Sequence, residues 1–420
     1  MSKQGKVIGW CMFDVASSAY LMLTAIFAVV FAKVIVVNRD YGYSNFIWSL
    51  LIVAANLIAA IMGPPLGAWA DSEHKHKLFL IISSGVCIIT TAALYFVIPG
   101  QVALASILVI VSYLAYSLSE NFISSFLSHV AGPRETGWVS GLGWGVGYVG
   151  GLAAIATFYM VTRFDFSAEN LDAVQLLGPL AAAFFLVAAI PTFLLVPQFR
   201  DRPAARSSYA QLLRVFASIA KFPDLAKFLI SFFLFQGALN IFAGFAAVYA
   251  DQAVGLSGGW QAAWFISLQL SAGAGAVVFG KLQDRWGGLR IINLTLIIWL
   301  ASTASLIAGG LSPQGWSDSK LWFIIATNAA GACMGATQAS SRTVIVLFTP
   351  AGKEGELFGF WGLAGKLSAV FAIFLFGLAQ LYFDLTIALI LCAVMFAAGL
   401  ILNQYIDEER GKRTAATHQI

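Results

Sequence analysis

Long apolar stretches alternate with short polar ones along the whole chain, and that alternation predicts the elements. Twelve stretches run approximately 8–36, 45–70, 78–98, 102–129, 138–162, 174–196, 226–250, 259–281, 291–309, 320–346, 357–381 and 385–405. Each is near the ~20 residues that a helix needs to cross a bilayer. One hydrophilic interval, Pro197–Asp224, is much longer than the rest and splits the stretches into two sets of six. The predicted fold class is an all-α integral membrane protein, twelve transmembrane helices in two six-helix pseudo-symmetric bundles. The first bundle is expected over 1–196, a linker over 197–224, the second bundle over 225–408 and a tail over 409–420. Within the linker, SSYAQLLRVFASIAKF alternates at helical spacing, which suits a surface-lying or a tethering helix.

The fifth stretch opens with VSGLGWGVGYVGG, Val139–Gly151, where Gly141, Gly143, Gly145, Gly147, Gly150 and Gly151 crowd together. In a soluble helix each glycine would cost about 1 kcal/mol relative to alanine. In a bilayer the backbone must satisfy itself, so the segment is helical nonetheless. Gly141/Gly145, Gly143/Gly147 and Gly147/Gly151 are four apart and form ridges that admit another helix closely. Static packing and a moving seam both fit this pattern.

Composition agrees with a membrane solvent. Of 420 residues, 60% are hydrophobic and 10% charged, with mean hydropathy +0.84; a soluble domain carries about 25% charged residues. The net charge of +4 does not indicate a nucleic-acid partner, because the basic residues sit in short inter-helix loops. Cys11, Cys87, Cys333 and Cys392 all fall in apolar stretches without a CxxC pair, so no metal site or disulfide framework is expected. The first apolar run lacks the features of a cleavable leader. There is no nucleophile elbow, P-loop or HExxH, and GLGWGVG opens a span instead of following a strand. Neither an enzyme, a bound cofactor nor ATP-driven transport is indicated.

Loop charge gives orientation. With the N-terminus inside, Lys3, Lys6, Lys75, Lys77, Arg134, Arg200, Arg202, Arg206, Arg214, Lys221, Lys227, Lys281, Arg285, Arg290, Lys353, Arg410, Lys412 and Arg413 are cytoplasmic, 18 of the 24 basic residues. Lys33, Arg39, Arg163 and Lys320 are outside, and Arg342 and Lys366 lie within spans. Both termini are expected in the cytoplasm, and a bacterial inner membrane suits the short outer loops.

The halves also repeat. Gly67-Ala-Trp-Ala-Asp71, followed by Lys75 and Lys77, returns as Gly280-Lys-Leu-Gln-Asp284, followed by Arg285 and Arg290. The offset is 284 − 71 = 213, while Gly141 and Gly147 match Gly359 and Gly365 at 218. Parallel six-helix repeats are a layout of secondary transporters, with the site near the midplane between halves.

GPPLGAWADSEHKHK and GKLQDRWGGLR resemble the loop signature of the major facilitator superfamily, although Ser72 and His74 stand where that signature is usually basic or glycine. WCMFDVASSAY, VSGLGWGVGYVGG, GATQASSRTVIVLFTP and GELFGFWGLAGKLSAVF resemble, more narrowly, the vacuole-effluxer-like family, whose fungal members are autophagy-related vacuolar amino-acid exporters. Asp14, Ala16, Ser17, Ser18 and Tyr20 match the family's start. Gln236-Gly237 departs from the aspartate-glycine pair common in its seventh span, so any proton coupling here rests elsewhere or is absent. The resemblance implies a small-molecule substrate, a bilayer, protons as a candidate coupling ion, and a monomer.

Charged groups inside a span cost about 2.5–3.5 kcal/mol each on insertion scales, so they are functional candidates. Asp14, Glu120, Arg342 and Lys366 are such groups, the acids in the first half and the bases in the second. They are candidates for a gate that closes the cytoplasmic side, with Glu120 expected to meet Lys366 or Arg342 ahead of Asp14. Local pairing within each half is the plain alternative. Asp14 and Glu120 are also the candidates for proton coupling. Asp71 and Asp284 can accept from the N-terminus of a neighbouring helix, latching the halves with Lys75, Lys77, Arg285 and Arg290 in support; simple helix caps are the alternative. Substrate contacts are expected from Ser17, Tyr20, Asn121, Trp144, Tyr148, Gln236, Asn240, Gln269, Gln338 and Trp361, a mix of amides and rings suited to a small zwitterion or amphiphile. His74, His76 and His129, beside loops, are expected to be solvated.

The leading expectation is a secondary active transporter working by alternating access, exporting an amino acid or similar metabolite, with proton coupling an open question. A lysolipid, drug or other amphiphile exporter is the alternative within transport. A non-transporting membrane scaffold or assembly factor is the alternative of another class.

Overall fold

The computed structural model describes residues 2–36, 41–132, 135–163, 165, 168–198, 222–252, 254, 259–311, 320–382 and 385–417. Twelve long helices occupy them: α1 Lys3–Val30, α2 Tyr41–Glu73, α3 His76–Ala92, α4 Val102–Ser125, α5 Thr136–Thr162, α6 Leu177–Leu195, α7 Pro223–Gln252, α8 Gly259–Trp286, α9 Gly288–Leu311, α10 Lys320–Phe348, α11 Glu354–Tyr382 and α12 Leu385–Asn403. A shorter helix, α13, follows at Glu408–Thr417. Nine described helices are long and apolar enough to cross a membrane, or ten if the bent α12–α13 pair counts as one span. The linker segment SSYAQLLRVFASIAKF, apart from its last residue Phe222, and the linker's basic residues Arg200, Arg202, Arg206, Arg214 and Lys221 lie outside the described residues, as does Arg134.

Apolar burial divides along the chain. Trp10, Phe13, Phe122, Phe126 and Phe185 belong to a core built from α1–α6, and Phe27, Phe31, Phe158 and Leu177 to a second core in the same half. Phe228, Phe235, Trp299, Phe348 and Phe396 form the core of α7–α12. Ile61, Ile89, Val187, Leu194 and Leu321 are exposed, the placement a lipid solvent permits and water disfavours.

The tight turns between paired helices repeat with the sequence. After α2, His74 takes a left-handed conformation at φ 52°; after α8, Gly287 does so at φ 92°. The offset 287 − 74 = 213 equals that of Asp71 and Asp284. Glycine adopts this region without a Cβ penalty, whereas His74 occupies it as one of two non-glycine residues at positive φ among the described residues.

Two seams join the halves, α2 against α11 and α5 against α8. Backbones meet there because side chains are missing. A Cβ on Gly359 would lie 2.8 Å from Pro64 Cα, and one on Gly280 would lie 2.7 Å from Gly141 Cα. Both approaches sit toward the face that carries Lys3 and Thr417, where α2 and α8 end and α5 and α11 begin.

The glycines of α5 form two ridges with different partners. Gly137, Gly141 and Gly145 face Asp284, Ala276, Gly280 and Val277 of α8, across the halves. Gly143, Gly147 and Gly150 face Trp10, Asp14, Ser18 and Val15 of α1, within the first half. One ridge is intra-bundle packing; the other is the inter-half seam.

Beyond α12 the chain bends by 63° into α13, which is held to the second half. Arg410 Nε and Nη2 donate to Asp224 at 2.6 and 2.7 Å, and Glu408 accepts from Leu289 N at 2.9 Å. The hydrogen-bonded Asp224 carboxylate holds the Arg410 guanidinium above its usual range. The expected tail is therefore a docked helix over most of its length.

Candidate functional site

Asp71 closes the α2 end of one seam. Its Oδ1 accepts from Gly355 N at 2.9 Å and its Oδ2 from Glu356 N at 2.7 Å, in the first turn of α11. Asp284 does the same on the other seam. Its carboxylate accepts from Gly137 N at 2.8 Å and Trp138 N at 2.9 Å, in the first turn of α5. The donating positions repeat too, since 355 − 137 and 356 − 138 are both 218. A helix N-terminus has unpaired N–H groups and a positive dipole end, so a carboxylate there forms strong, charge-assisted bonds. Each aspartate thus ties one half to a helix start of the other.

The expected basic support is absent from these contacts. Lys75 pairs with Glu73 at 3.2 Å in its own half. Lys77 donates to Val196 O at 2.8 Å, also within the first half. Arg285 and Arg290 are exposed. What does reach Asp71 is His76, whose Nε2 lies 2.7 Å from Oδ1. The expectation that His76 is solvated is wrong: it is 2% exposed, because α3 starts directly under the seam and turns its first side chain inward.

Deeper, Asp14 on α1 meets Arg342 on α10. The Arg342 Nη1 and Nη2 groups donate to Asp14 Oδ2 and Oδ1 at 3.2 and 3.4 Å, with both residues buried. The guanidinium also lies 5.0 Å from the Trp10 ring centroid and 5.5 Å from that of Trp144, a desolvated cation between aromatic faces. Gly143 makes room for the carboxylate, since a Cβ there would overlap Asp14 Oδ2. Ser140 Oγ donates to Ala339 O at 2.9 Å beside the pair, again across the halves. Glu120 was expected to meet Lys366 or Arg342 ahead of Asp14; Arg342 instead donates to Asp14, and Glu120 acts on it only electrostatically.

Glu120 on α4 and Lys366 on α11 act on one another electrostatically. Among the described residues they form no ion pair, which corrects the expected Glu120–Lys366 bridge. Glu120 has Ser17 as a hydrogen-bonding neighbour, while its Oε1 has no protein partner. Among the other buried atoms without a hydrogen-bond partner are Asn121 Nδ2, Trp144 Nε1, Gln236 Oε1, Asn240 Nδ2, Trp361 Nε1 and, in the buried pair itself, Arg342 Nε. Buried polar atoms are rarely left unpaired, and each asks for an explanation. Asn121 is wedged between Gly63 of α2 and Gly362 of α11. Gln236 reaches Asn240 at 3.4 Å along α7, and the Trp361 ring packs 5.5 Å from Phe232.

The remaining expected contact residues separate. Tyr148 of α5 is half-buried, its ring tilted against Trp144 at 6.0 Å, and it approaches Gly335 of α10. Gln269 of α8 faces Gly151 of α5, and Gln338 is half-buried on α10. Tyr20 belongs elsewhere. Its ring stacks on Tyr116 at 4.9 Å and its hydroxyl meets Ser112 Oγ at 2.9 Å, both inside the first bundle. Trp10, which sequence reasoning passed over, supports the buried pair and donates to Ile123 O at 2.9 Å; its place four residues before Asp14, one helical turn, was the available signal.

A family model for vacuole effluxer Atg22-like proteins matches residues 47–416. The chain belongs to that family. The Atg22-like chain is 24% identical over 414 residues to an uncharacterized MFS-type transporter, YxiO, of Bacillus subtilis (strain 168), covering 95% of this chain and 94% of that one. Over 153 residues, 35% of this chain and 32% of the relative, it is 29% identical to a D-xylose transporter of Levilactobacillus brevis. Among solved structures, the human organic anion transporter MFSD10 superposes with a TM-score of 0.76 at 11% identity, covering 96% and 100% of the two chains. The proton:xylose symporter XylE does so at 0.73 and 14%, covering 98% and 96%. At such identities the superpositions establish the fold, that of the major facilitator superfamily. The Atg22-like chain is a multi-pass, MFS-type membrane transporter.

Proposed function

We propose that the Atg22-like chain exports a small zwitterionic solute, an amino acid or similar metabolite, by alternating access. The face carrying both termini is cytoplasmic on this reading, as the distribution of lysine and arginine supports. The aspartate-capped seams are its closed gate, and Asp14–Arg342 is the buried pair that seals it. The observation that carries the substrate class is the set of buried polar atoms without a protein partner on Glu120, Asn121, Trp144, Gln236, Asn240 and Trp361, with Lys366 acting electrostatically on Glu120. Glu120 can accept from an ammonium. Lys366 and the indole N–H groups of Trp144 and Trp361 can donate to a carboxylate, while Asn121, Gln236 and Asn240 can read polar atoms in between. Glu120 is the carboxylate placed to carry a coupling proton, because it has an unpartnered oxygen where Asp14 has none.

Proteoliposome counterflow tests this reading, with labelled amino acids, D-xylose and a lysolipid offered with and without a proton gradient. Saturable amino-acid flux is expected, lost at least tenfold in Lys366→Ala while the protein stays monodisperse. Flux of D-xylose or lysolipid alone would replace the substrate class, and no flux of any solute would favour a scaffold role. Flux insensitive to the gradient, and unaltered in Glu120→Gln, would remove proton coupling through this residue.

A further inference from the structure

We infer that a cleft on the second half, at the face carrying the termini, binds the headgroup of a membrane phospholipid: a phosphodiester with hydrogen-bond donors beyond the phosphate. The cleft lies between the α8–α9 turn, the end of α10 and the α12–α13 bend, and its volume is about 1030 Å³, at the upper end for small-molecule sites. Binding there depends neither on the solute carried nor on the direction of transport.

Two buried amides form the floor. Gln283, on the last turn of α8, donates through Nε2 to Thr343 Oγ1 at 3.3 Å. Asn403, at the end of α12, donates through Nδ2 to Asn293 Oδ1 at 3.0 Å. The two side chains are 3% and 2% exposed, yet Gln283 Oε1 and Asn403 Oδ1 have no hydrogen-bond partner. An unmet buried acceptor is costly. A carbonyl oxygen only accepts, so what satisfies this floor must bring N–H or O–H groups.

The rim offers the opposite chemistry. Asp284, Asp407, Glu408 and Glu409 line the cleft, and so do Arg285, Arg290, Arg410 and Lys412. The acids are engaged: Asp284 by the start of α5, Asp407 by Arg410 N at 2.9 Å, and Glu408 and Glu409 by Lys412 at 2.9 Å each. Arg410 is turned to Asp224. Arg285 and Arg290 are exposed and form no ion pair among the described residues. A guanidinium presents a fork of donors that matches a phosphate. A ligand that fits both layers has phosphate oxygens for the rim and donors for the floor. Ethanolamine and glycerol headgroups carry such donors, and choline carries none.

The surroundings favour a lipid over a soluble phosphodiester. Trp286 and Tyr405 line the cleft and are exposed; tryptophan and tyrosine prefer the membrane–water interface. Ile297 of α9, one helical turn beyond Asn293, and Ile401 of α12 are exposed as well. Apolar surface for acyl chains thus adjoins the cleft on both helices. Basic groups beside the ends of spans attract lipid phosphates.

Native mass spectrometry of the full chain in detergent tests this. It reads the affinity for the first bound lipid among phosphatidylethanolamine, phosphatidylglycerol and phosphatidylcholine with identical acyl chains. The first two are expected to bind more tightly than the third. Arg285→Gln with Arg290→Gln should weaken both by about thirtyfold, the effect of two basic residues beside a lipid surface. Lys3→Gln with Lys6→Gln removes the same charge from the same face of the first half and should change nothing. Asn403→Leu and Gln283→Met should each narrow the preference over choline. Equal binding of the three lipids, or an arginine double variant that binds like the wild type, overturns the inference; these arginines are exposed, so that variant does not depend on the core. Glycerophosphoethanolamine, which lacks acyl chains, is expected to bind far more weakly than the lipid. Equal affinity would overturn the lipid source in favour of a soluble phosphodiester.

Discussion

The α2–α11 and α5–α8 seams use one device twice, and what surrounds each copy is different. Both bring glycine backbones together and both end in an aspartate on the opposing helix start. Behind the α5–α8 seam stand further inter-half bonds, Ser140 to Ala339 and Asp14 to Arg342. Behind the α2–α11 seam stand His76 and the acidic start of α11. The α5–α8 seam is backed by a buried ion pair; the α2–α11 seam by the buried His76–Asp71 contact and an acidic helix start. A pseudo-symmetric fold can therefore hold one gate with unequal halves.

The buried pair gives the largest expected effect. Arg342→Ala would leave Asp14 buried and unpaired, which costs about 3–5 kcal/mol for a broken buried pair. A thermal-shift assay should show a strong loss of stability. Removing both charges, in Asp14→Asn with Arg342→Gln, should recover part of that loss, and the double-mutant cycle measures the coupling. Additive losses would mean that the pair does not bind the halves.

Smaller effects are expected from obstructing the backbone contacts. A Cβ on Gly67 would overlap the Gly355 carbonyl, and one on Gly141 would overlap the Ala276 carbonyl. Gly67→Leu and Gly141→Leu should each cost about 1–3 kcal/mol of overpacking, and should hold the gate open where spin labels on Gln4→Cys of α1 and Arg413→Cys of α13, both exposed and in opposite halves, can read it. Gly150→Leu, on the ridge that faces α1, should destabilise the first bundle instead. If all three behave alike, the two ridges of α5 do not have separate roles.

Much of this was readable from the chain, because the bilayer restricts it so strongly. Span positions, the split into six and six and the aspartate repeat follow from apolar length and internal offsets, and α1–α12 occupy the expected stretches. The helix-start partners of Asp71 and Asp284 were also foreseeable, since an acid at a helix end has few other uses in lipid. Sequence gives depth along a helix well and azimuth poorly, and the errors follow from that. Asp14 and Glu120 both act on Arg342 electrostatically, but among the described residues it is Asp14 that accepts its hydrogen bonds. Tyr20 looked like a solute contact and turns into its own bundle against Tyr116. His76 adjoins a loop in sequence, yet the left-handed turn at His74 rotates it beneath the seam.

The central claim is that the two aspartates hold the halves together at the face carrying the termini. The most direct measurement is the Gln4–Arg413 label distance in Asp71→Asn, Asp284→Asn and the double variant, at a fixed pH of 6. An amide keeps the shape but gives up the charge that the helix N-termini attract. The account predicts a modest opening in Asp284→Asn, a larger one in Asp71→Asn, and a predominantly open distribution in the double variant. A double variant that stays as closed as the wild type would contradict it.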